Sequence, residues 1–90
     1  MSRQVNIIVS GRVQGVYFRA FTRRKANQLN IYGSAVNLAD GRVEIIAQGE
    51  HPAIEHFVEW CRKGPITARV DTIEITELPF TEGLSSFVTG

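Results

Sequence analysis

The chain has 90 residues, of which 43% are hydrophobic and 21% charged, a size and composition that exclude a disordered segment and a chain with two hydrophobic cores. Its formal net charge of +1 favours neither nucleic acid nor a membrane surface as partner. The one cysteine, Cys61, excludes an internal disulfide, and no apolar run approaches the ~20 residues of a membrane helix. Because the first residues also lack a signal-peptide apolar region, we expect one cytoplasmic, monomeric domain over residues 1–90.

The first part of the chain predicts a strand followed by a helix. Apolar side chains alternate over residues 5–10, which indicates a strand, and Val13 extends the pattern. A loop bracketed by Gly11 and Gly15 follows. Asn30 suits the left-handed conformation that ends a helix. Between this loop and Asn30, four residues at helical spacing predict one buried helix face: Phe18, Thr22, Ala26 and Leu29.

The middle of the chain predicts a hairpin and a second helix. Residues 34–38 and 42–47 are rich in strand-forming side chains, and the Asp40-Gly41 pair between them is a hairpin-turn signal. Pro52 suits the first turn of a helix, and Gly64-Pro65 ends it. This helix has an apolar stripe of Ile54, Phe57, Val58 and Cys61.

The last clear strand spans residues 69–78, and its pattern slips because Val70 is out of phase with Ile73 and Ile75, which indicates a bulge or a twist. Residues 84–88 could add a short edge strand. The order strand, helix, strand, strand, helix, strand predicts an α+β fold of the ferredoxin-like split βαβ type. We expect an antiparallel sheet with two helices on one face and the first and third strands at the centre.

The loop between the first strand and the first helix has the features of an anion site. A helix N-terminus offers unpaired N–H groups and a positive dipole end, and Gly15 lets the backbone approach a ligand closely. Arg19 adds a forked cation suited to phosphate. An arginine that opens a helix is more often simply solvated, but a cation there opposes the helix dipole, which makes sense if an anion binds between them.

Residues 11–19, Gly-Arg-Val-Gln-Gly-Val-Tyr-Phe-Arg, closely resemble the first signature of the acylphosphatase family. Gly33, Asn37 and the segment 40–44 resemble its second signature at matching spacing. The resemblance implies that this chain is an acylphosphatase, with Arg19 binding phosphate and Asn37 holding the attacking water as the catalytic pair. It implies a phosphate cradle formed by backbone amides and the arginine: Gln14, Gly15, Val16, Tyr17, Phe18 and Arg19.

The sequence departs from the family pattern at two places. The family usually has an aromatic residue after the glycine and a valine two residues before the asparagine, whereas this chain has Ser34 and Ala35 there. The family also tends to end in a strand with a basic or aromatic residue near the terminus, and residues 87–90 keep only Phe87.

The residue inventory itself favours one phosphoryl chemistry. Asn37 cannot act as a general base, since an amide takes up no proton near neutral pH; it can accept a hydrogen bond from water through its carbonyl or donate one through its amide. His51 and His56 have no partner at metal-ligand spacing, so no metal and no cofactor are expected. A site without a general acid suits a leaving group that departs as a stable anion, such as a carboxylate with a pKa near ~4. Acyl phosphates fit; phosphate monoesters do not.

Other interpretations stay open at this point. Asn37, just before a hairpin turn, is the kind of residue that forms the turn itself. The run Arg23-Arg24-Lys25 is either a solvated helix face or an attractor of phosphorylated substrates. The domain could hold phosphate or carbamoyl phosphate without catalysis. An RNA-binding sheet has the same strand order, but the first and third strands lack the aromatic side chains that it needs. We therefore expect a small acyl phosphate and inorganic phosphate as partners, and neither nucleic acid nor a membrane.

Overall fold

The computed structural model describes all residues from Met1 to Gly90. Five strands and two helices follow one another along the chain: β1 (Ser2–Arg12), α1 (Phe18–Gln28), β2 (Tyr32–Asn37), β3 (Val43–Glu50), α2 (His51–Lys63), β4 (Arg69–Leu78) and β5 (Phe87–Thr89). The strands form one sheet in the order β4-β1-β3-β2-β5. The expected ferredoxin-like α+β fold is confirmed, with β1 and β3 inside the sheet and both helices on one face. No helix is long and apolar enough to cross a membrane.

The expectation of a purely antiparallel sheet is wrong at one edge. The three-residue strand β5 pairs with β2 in parallel, with Gly33 opposite Phe87. The reason is topological: β4 lies at one edge of the sheet and β5 at the other. The chain therefore crosses the end of the sheet between them, and it enters the far edge running in the direction of β2. Phe87 is buried there and packs edge-on against Phe57, with ring centroids 6.2 Å apart.

The core lies between the sheet and the two helices, and the predicted helix stripes face it. Phe18, Thr22 and Ala26 of α1 are buried, while Leu29 is half-buried. The stripe of α2 is buried in full, including Cys61. Burial raises the pKa of the Cys61 thiol, so this group stays protonated and does not act as a nucleophile.

The predicted bulge lies where β1 leaves the sheet. Ser10 faces Thr72, but the next residue, Gly11, faces Val70, so Asp71 is the extra residue on β4. At Gly11 φ is +129°, and a Cβ would lie 2.2 Å from the carbonyl oxygen of Arg69. Only glycine fits this close approach of two backbones. The bulge increases the local twist of the strands immediately before the loop that enters α1.

Candidate active site

The loop of residues 13–17 leads from β1 into the N-terminus of α1. The Val13 side chain is buried and anchors the loop to the core. Gly15 has φ +72° and Tyr17 has φ +64°, both in the left-handed region. Every backbone amide from Gln14 to Ala20 is without a protein acceptor. Such a row of free N–H donors in a curled loop at a helix start is a ready-made anion site.

The start of α1 is electrostatically open. Tyr17 occupies the N-cap position without a side-chain capping hydrogen bond, and the first turn contains no acidic residue. At most helix starts, a capping side chain or an acidic residue in the first turn offsets the positive end of the dipole. The positive end of this helix dipole therefore has no counter-charge from the protein itself.

Arg19 lies in the first turn of α1, half-buried, and its guanidinium donates a hydrogen bond to the carbonyl oxygen of Gly90. It opens onto a cleft of about 360 Å³. The residues around this cleft include Gly15, Tyr17, Phe18, Arg19, Arg23 and Thr89. Four of the residues expected to form the phosphate cradle thus meet at one cavity.

The charge in this region is one-sided. Residues 1–39 contain six arginines and lysines and no aspartate or glutamate. Neither Arg19 nor Arg23 pairs with an acidic side chain. Like charges four residues apart on a helix cost about 0.2–0.5 kcal/mol, and a cation at the helix start costs about 0.3–1 kcal/mol more. An anion in the cleft would relieve both costs.

The Gln14 side chain fixes the loop against the β2–β3 hairpin. Its Nε2 donates to the carbonyl oxygens of Leu38 at 2.7 Å and Arg42 at 2.9 Å. On the other side of the loop, the Thr67 hydroxyl donates to the carbonyl oxygen of Val16 at 2.7 Å. From the sequence, only the backbone amide of Gln14 was expected to contribute to the site. The role of its side chain in holding the loop against the hairpin was missed. Its one signal was the place of Gln14 inside the matched motif.

Asn37 is the last residue of β2, where its backbone pairs with Val43. It is exposed, and its side chain donates to and accepts from no protein group. The turn is closed by others: the Leu38 amide donates to the Arg42 carbonyl at 2.8 Å, and the Asp40 carboxylate accepts from the Arg42 amide. That amide hydrogen bond is the main cause that lowers the pKa of Asp40. Asn37 is therefore not needed to form the turn, and its carboxamide is free.

Asn37 does not line the cleft, but two hydrogen-bonded links join the cleft region to chain neighbours of Asn37. One link runs through Gln14 to the carbonyl of Leu38, next to Asn37 in the chain. The other runs from Arg19 to Gly90, whose amide donates to the carbonyl of Ala35 at 3.0 Å. Arg19, the loop and Asn37 thus lie at the same end of the sheet. The backbone of Gly90 makes the contact with Arg19. This contact therefore does not depend on a basic or aromatic side chain in residues 87–90.

The remaining chemically capable side chains lie outside the cleft. His51 and His56 are exposed on α2, and the Nδ1 atom of His51 lies 3.2 Å from a guanidinium nitrogen of Arg3. Trp60 is half-buried and packs against Phe18, with ring centroids 6.2 Å apart. No group of three or more His, Cys, Asp or Glu side chains is arranged to hold a metal ion.

Replacing Gln14 with alanine is expected to weaken both the fold and the site. The loss of two hydrogen bonds costs about 1–3 kcal/mol of unfolding free energy, and a loop no longer held against the hairpin lowers turnover about tenfold. Urea unfolding and acyl phosphate hydrolysis measure the two effects. Gln28→Ala is the control, since Gln28 is an exposed glutamine at the end of α1 whose side chain makes no hydrogen bond. Equal behaviour of the two variants would contradict the bracing role.

Comparison with known proteins identifies the family of this chain. The family model described as Acylphosphatase matches residues 5–89. The chain is 45% identical over 86 residues to an acylphosphatase of Rubrobacter xylanophilus, covering 96% of this chain and 78% of that protein. It is 48% identical over 84 residues to an acylphosphatase of Marinobacter nauticus, covering 93% and 91%. The crystal structure of acylphosphatase from Bacillus subtilis superposes with a TM-score of 0.93 at 41% identity, covering 100% and 99% of the two chains. The chain belongs to the acylphosphatase family.

Proposed function

We propose that this protein hydrolyses the carboxyl–phosphate bond of small acyl phosphates, with a carboxylate and inorganic phosphate as products. The observation that carries the proposal is the row of free amides from Gln14 to Ala20, which adjoins a cleft that Arg19 also lines. In this proposal Arg19 and the loop amides hold the phosphoryl group, and Asn37 orients the water that attacks it.

Binding of the phosphoryl group uses donors that are already in place. The phosphoryl oxygens accept hydrogen bonds from the amides of residues 14–18 and from the guanidinium of Arg19. A guanidinium has five N–H donors in a fixed fork. Arg19 can therefore keep its hydrogen bond to the Gly90 carbonyl and still present donors to the phosphate. The contact with Gly90 orients the fork, which limits the conformational entropy lost on binding.

The same donors stabilise the transition state. Phosphoryl transfer passes through a loose state in which negative charge spreads over three equatorial oxygens. Amides and a guanidinium fixed around that position need no reorganisation as the charge develops. Water adds to phosphorus on one side, and the acyl oxygen leaves on the opposite side with the bonding electron pair.

Asn37 supplies the position of the attacking water rather than a base. A water that attacks phosphorus must keep one lone pair directed at it. We therefore assign the Oδ1 atom of Asn37 as the acceptor of a hydrogen bond from that water, which leaves the lone pair free. The water proton passes to a phosphoryl oxygen or to solvent as the phosphorus–oxygen bond forms.

The leaving group needs no protonation. No carboxylic acid and no histidine line the cleft. A carboxylate, whose conjugate acid has a pKa near ~4, departs as the anion, whereas an alkoxide or phenolate depends on a proton donor. The proposal is therefore limited to acyl phosphates and does not extend to phosphate monoesters.

The test compares two substrates that differ in the leaving group. Purified protein is assayed with benzoyl phosphate and with phenyl phosphate, whose leaving groups have conjugate-acid pKa values near ~4 and ~10. We expect rapid hydrolysis of benzoyl phosphate and none of phenyl phosphate above the blank. A protein that binds inorganic phosphate but leaves benzoyl phosphate intact would instead be a phosphate-holding module. Equal turnover of both substrates would contradict the leaving-group argument.

A further inference from the structure

Arg23 is a second cation in the cleft that the proposed phosphate cradle leaves unused. It follows Arg19 by four residues on α1 and lines the same cleft. Its side chain is exposed and makes neither an ion pair nor a hydrogen bond with the protein. The cleft is lined by no acidic residue that could neutralise it.

The position of Arg23 on the helix distinguishes it from its basic neighbours. At 3.6 residues per turn, a helix rotates roughly 100° per residue, so Arg23 lies about 40° from Arg19 around the helix axis and Arg24 about 140°. Arg24 accordingly lines other, shallower depressions, beside Phe21 and Thr67 on one side and Trp60 on the other. Only Arg23 of the three-residue basic run shares the cleft with Arg19.

The spacing of the two arginines matches the length of a short acyl group. Four residues of helix advance about 6 Å along the axis. The phosphorus and the distal carboxyl carbon of succinyl phosphate are about five bonds apart, and bonds of ~1.5 Å at ordinary angles make that span about 6 Å. A phosphoryl group at Arg19 therefore leaves Arg23 within reach of a second anionic group that lies a few bonds beyond the acyl carbonyl.

We propose that Arg23 forms an acyl-side anion subsite, which makes the enzyme prefer acyl phosphates whose acyl group carries a second negative charge. This inference rests on the proposed function, since it assumes that Arg19 and the loop hold the phosphoryl group. Arg23 contacts the part of the substrate that does not react. Its contribution is the same in the ground state and the transition state, so it appears in KM rather than in kcat.

The experiment measures kcat/KM for succinyl phosphate, which carries a second carboxylate, and for acetyl phosphate, which does not, in wild-type protein and in three variants. Arg23→Gln is expected to lower the succinyl-to-acetyl ratio about fivefold, the size of one exposed ion pair, through a higher KM for succinyl phosphate. The ratio should also fall with added salt in the wild type but not in the variant. Arg23→Lys should restore part of the ratio.

Arg24→Gln is the matched control, because it removes one charge from the next position on the same helix but not from this cleft. Its ratio should stay at the wild-type value. An unchanged ratio in Arg23→Gln, or an equal fall in both variants, would overturn the subsite and leave only general attraction by positive charge.

A separate measurement keeps this inference distinguishable from the proposed function. If wild-type protein hydrolyses neither acyl phosphate, the proposed function fails, but binding can still be measured by calorimetry. 5-Phosphonopentanoate, which has the same number of bonds between phosphorus and carboxyl carbon as succinyl phosphate, should then bind more tightly than pentylphosphonate, and Arg23→Gln should remove the difference. Equal affinity of wild-type protein for the two phosphonates would overturn the subsite independently of catalysis.

Discussion

Replacing Arg19 with alanine is expected to lower kcat/KM for benzoyl phosphate at least about 10³-fold, since a single arginine acting on a transferring phosphoryl group contributes about 10³–10⁵ in rate. Arg19 is the one guanidinium in the first turn of α1, beside the free amides of the loop. Without it, the charge on the equatorial oxygens is stabilised by neutral amides alone. Arg19→Lys should recover little, because an ammonium lacks the planar fork.

The fold should survive this substitution. Arg19 pairs with no acidic side chain, and its removal loses one hydrogen bond to the main-chain oxygen of Gly90. It also removes a cation from the positive end of the helix dipole and a like charge from beside Arg23. We expect a change in unfolding free energy within about 1 kcal/mol, measured by urea unfolding. The matched control is Arg24→Ala, which should keep near-wild-type turnover. Activity within tenfold of wild type in folded Arg19→Ala would contradict the assignment.

Replacing Asn37 with alanine is expected to lower kcat about 10²–10³-fold, the usual effect of removing one group fixed at the reacting centre. KM and inhibition by inorganic phosphate should change little, because the phosphate is held by the loop and Arg19. Stability should also be kept, since Asn37 is exposed and its side chain makes no hydrogen bond within the protein.

Replacing a second asparagine tests whether the loss of kcat is specific to Asn37. Asn27 is exposed on α1, outside the cleft, so Asn27→Ala should behave as the wild type in every assay. If Asn37→Ala raised KM and the inhibition constant of phosphate but left kcat intact, Asn37 would be a phosphate ligand. Near-wild-type values of kcat, KM and the phosphate inhibition constant in Asn37→Ala would contradict any role of Asn37 in binding or catalysis.

Much of the fold was predictable because its determinants are local. The change of apolar period at Phe18 marks the start of α1, and the Asp40-Gly41 pair marks the turn that Leu38 and Arg42 close. The slip at Val70 indicated a bulge or a twist, and the structure has the bulge. The free amides of the loop were predictable because the first N–H groups of a helix have no acceptor within the helix.

The features that were missed depend on contacts between residues far apart in the chain. No local pattern reports that Gln14 reaches Leu38, or that the Gly90 backbone meets Arg19. The parallel pairing of β5 depends on where the chain crosses the end of the sheet. Charge counting along the chain likewise did not reveal that Arg23 lines the cleft while Arg24 does not. The roles of Arg19 and Asn37, the monomeric state and the cytoplasmic location stay predictions.

Hydrolysis of benzoyl phosphate in water enriched in oxygen-18 tests the mechanism most directly. Attack of water on phosphorus places the label in inorganic phosphate and leaves benzoate unlabelled, because the phosphorus–oxygen bond is the one that breaks. Mass spectrometry of the two products from wild-type protein, corrected for the blank, should show this distribution. Label in benzoate would mean that water attacks the acyl carbon, and it would contradict a site built to hold the phosphoryl group against Arg19 and the loop amides.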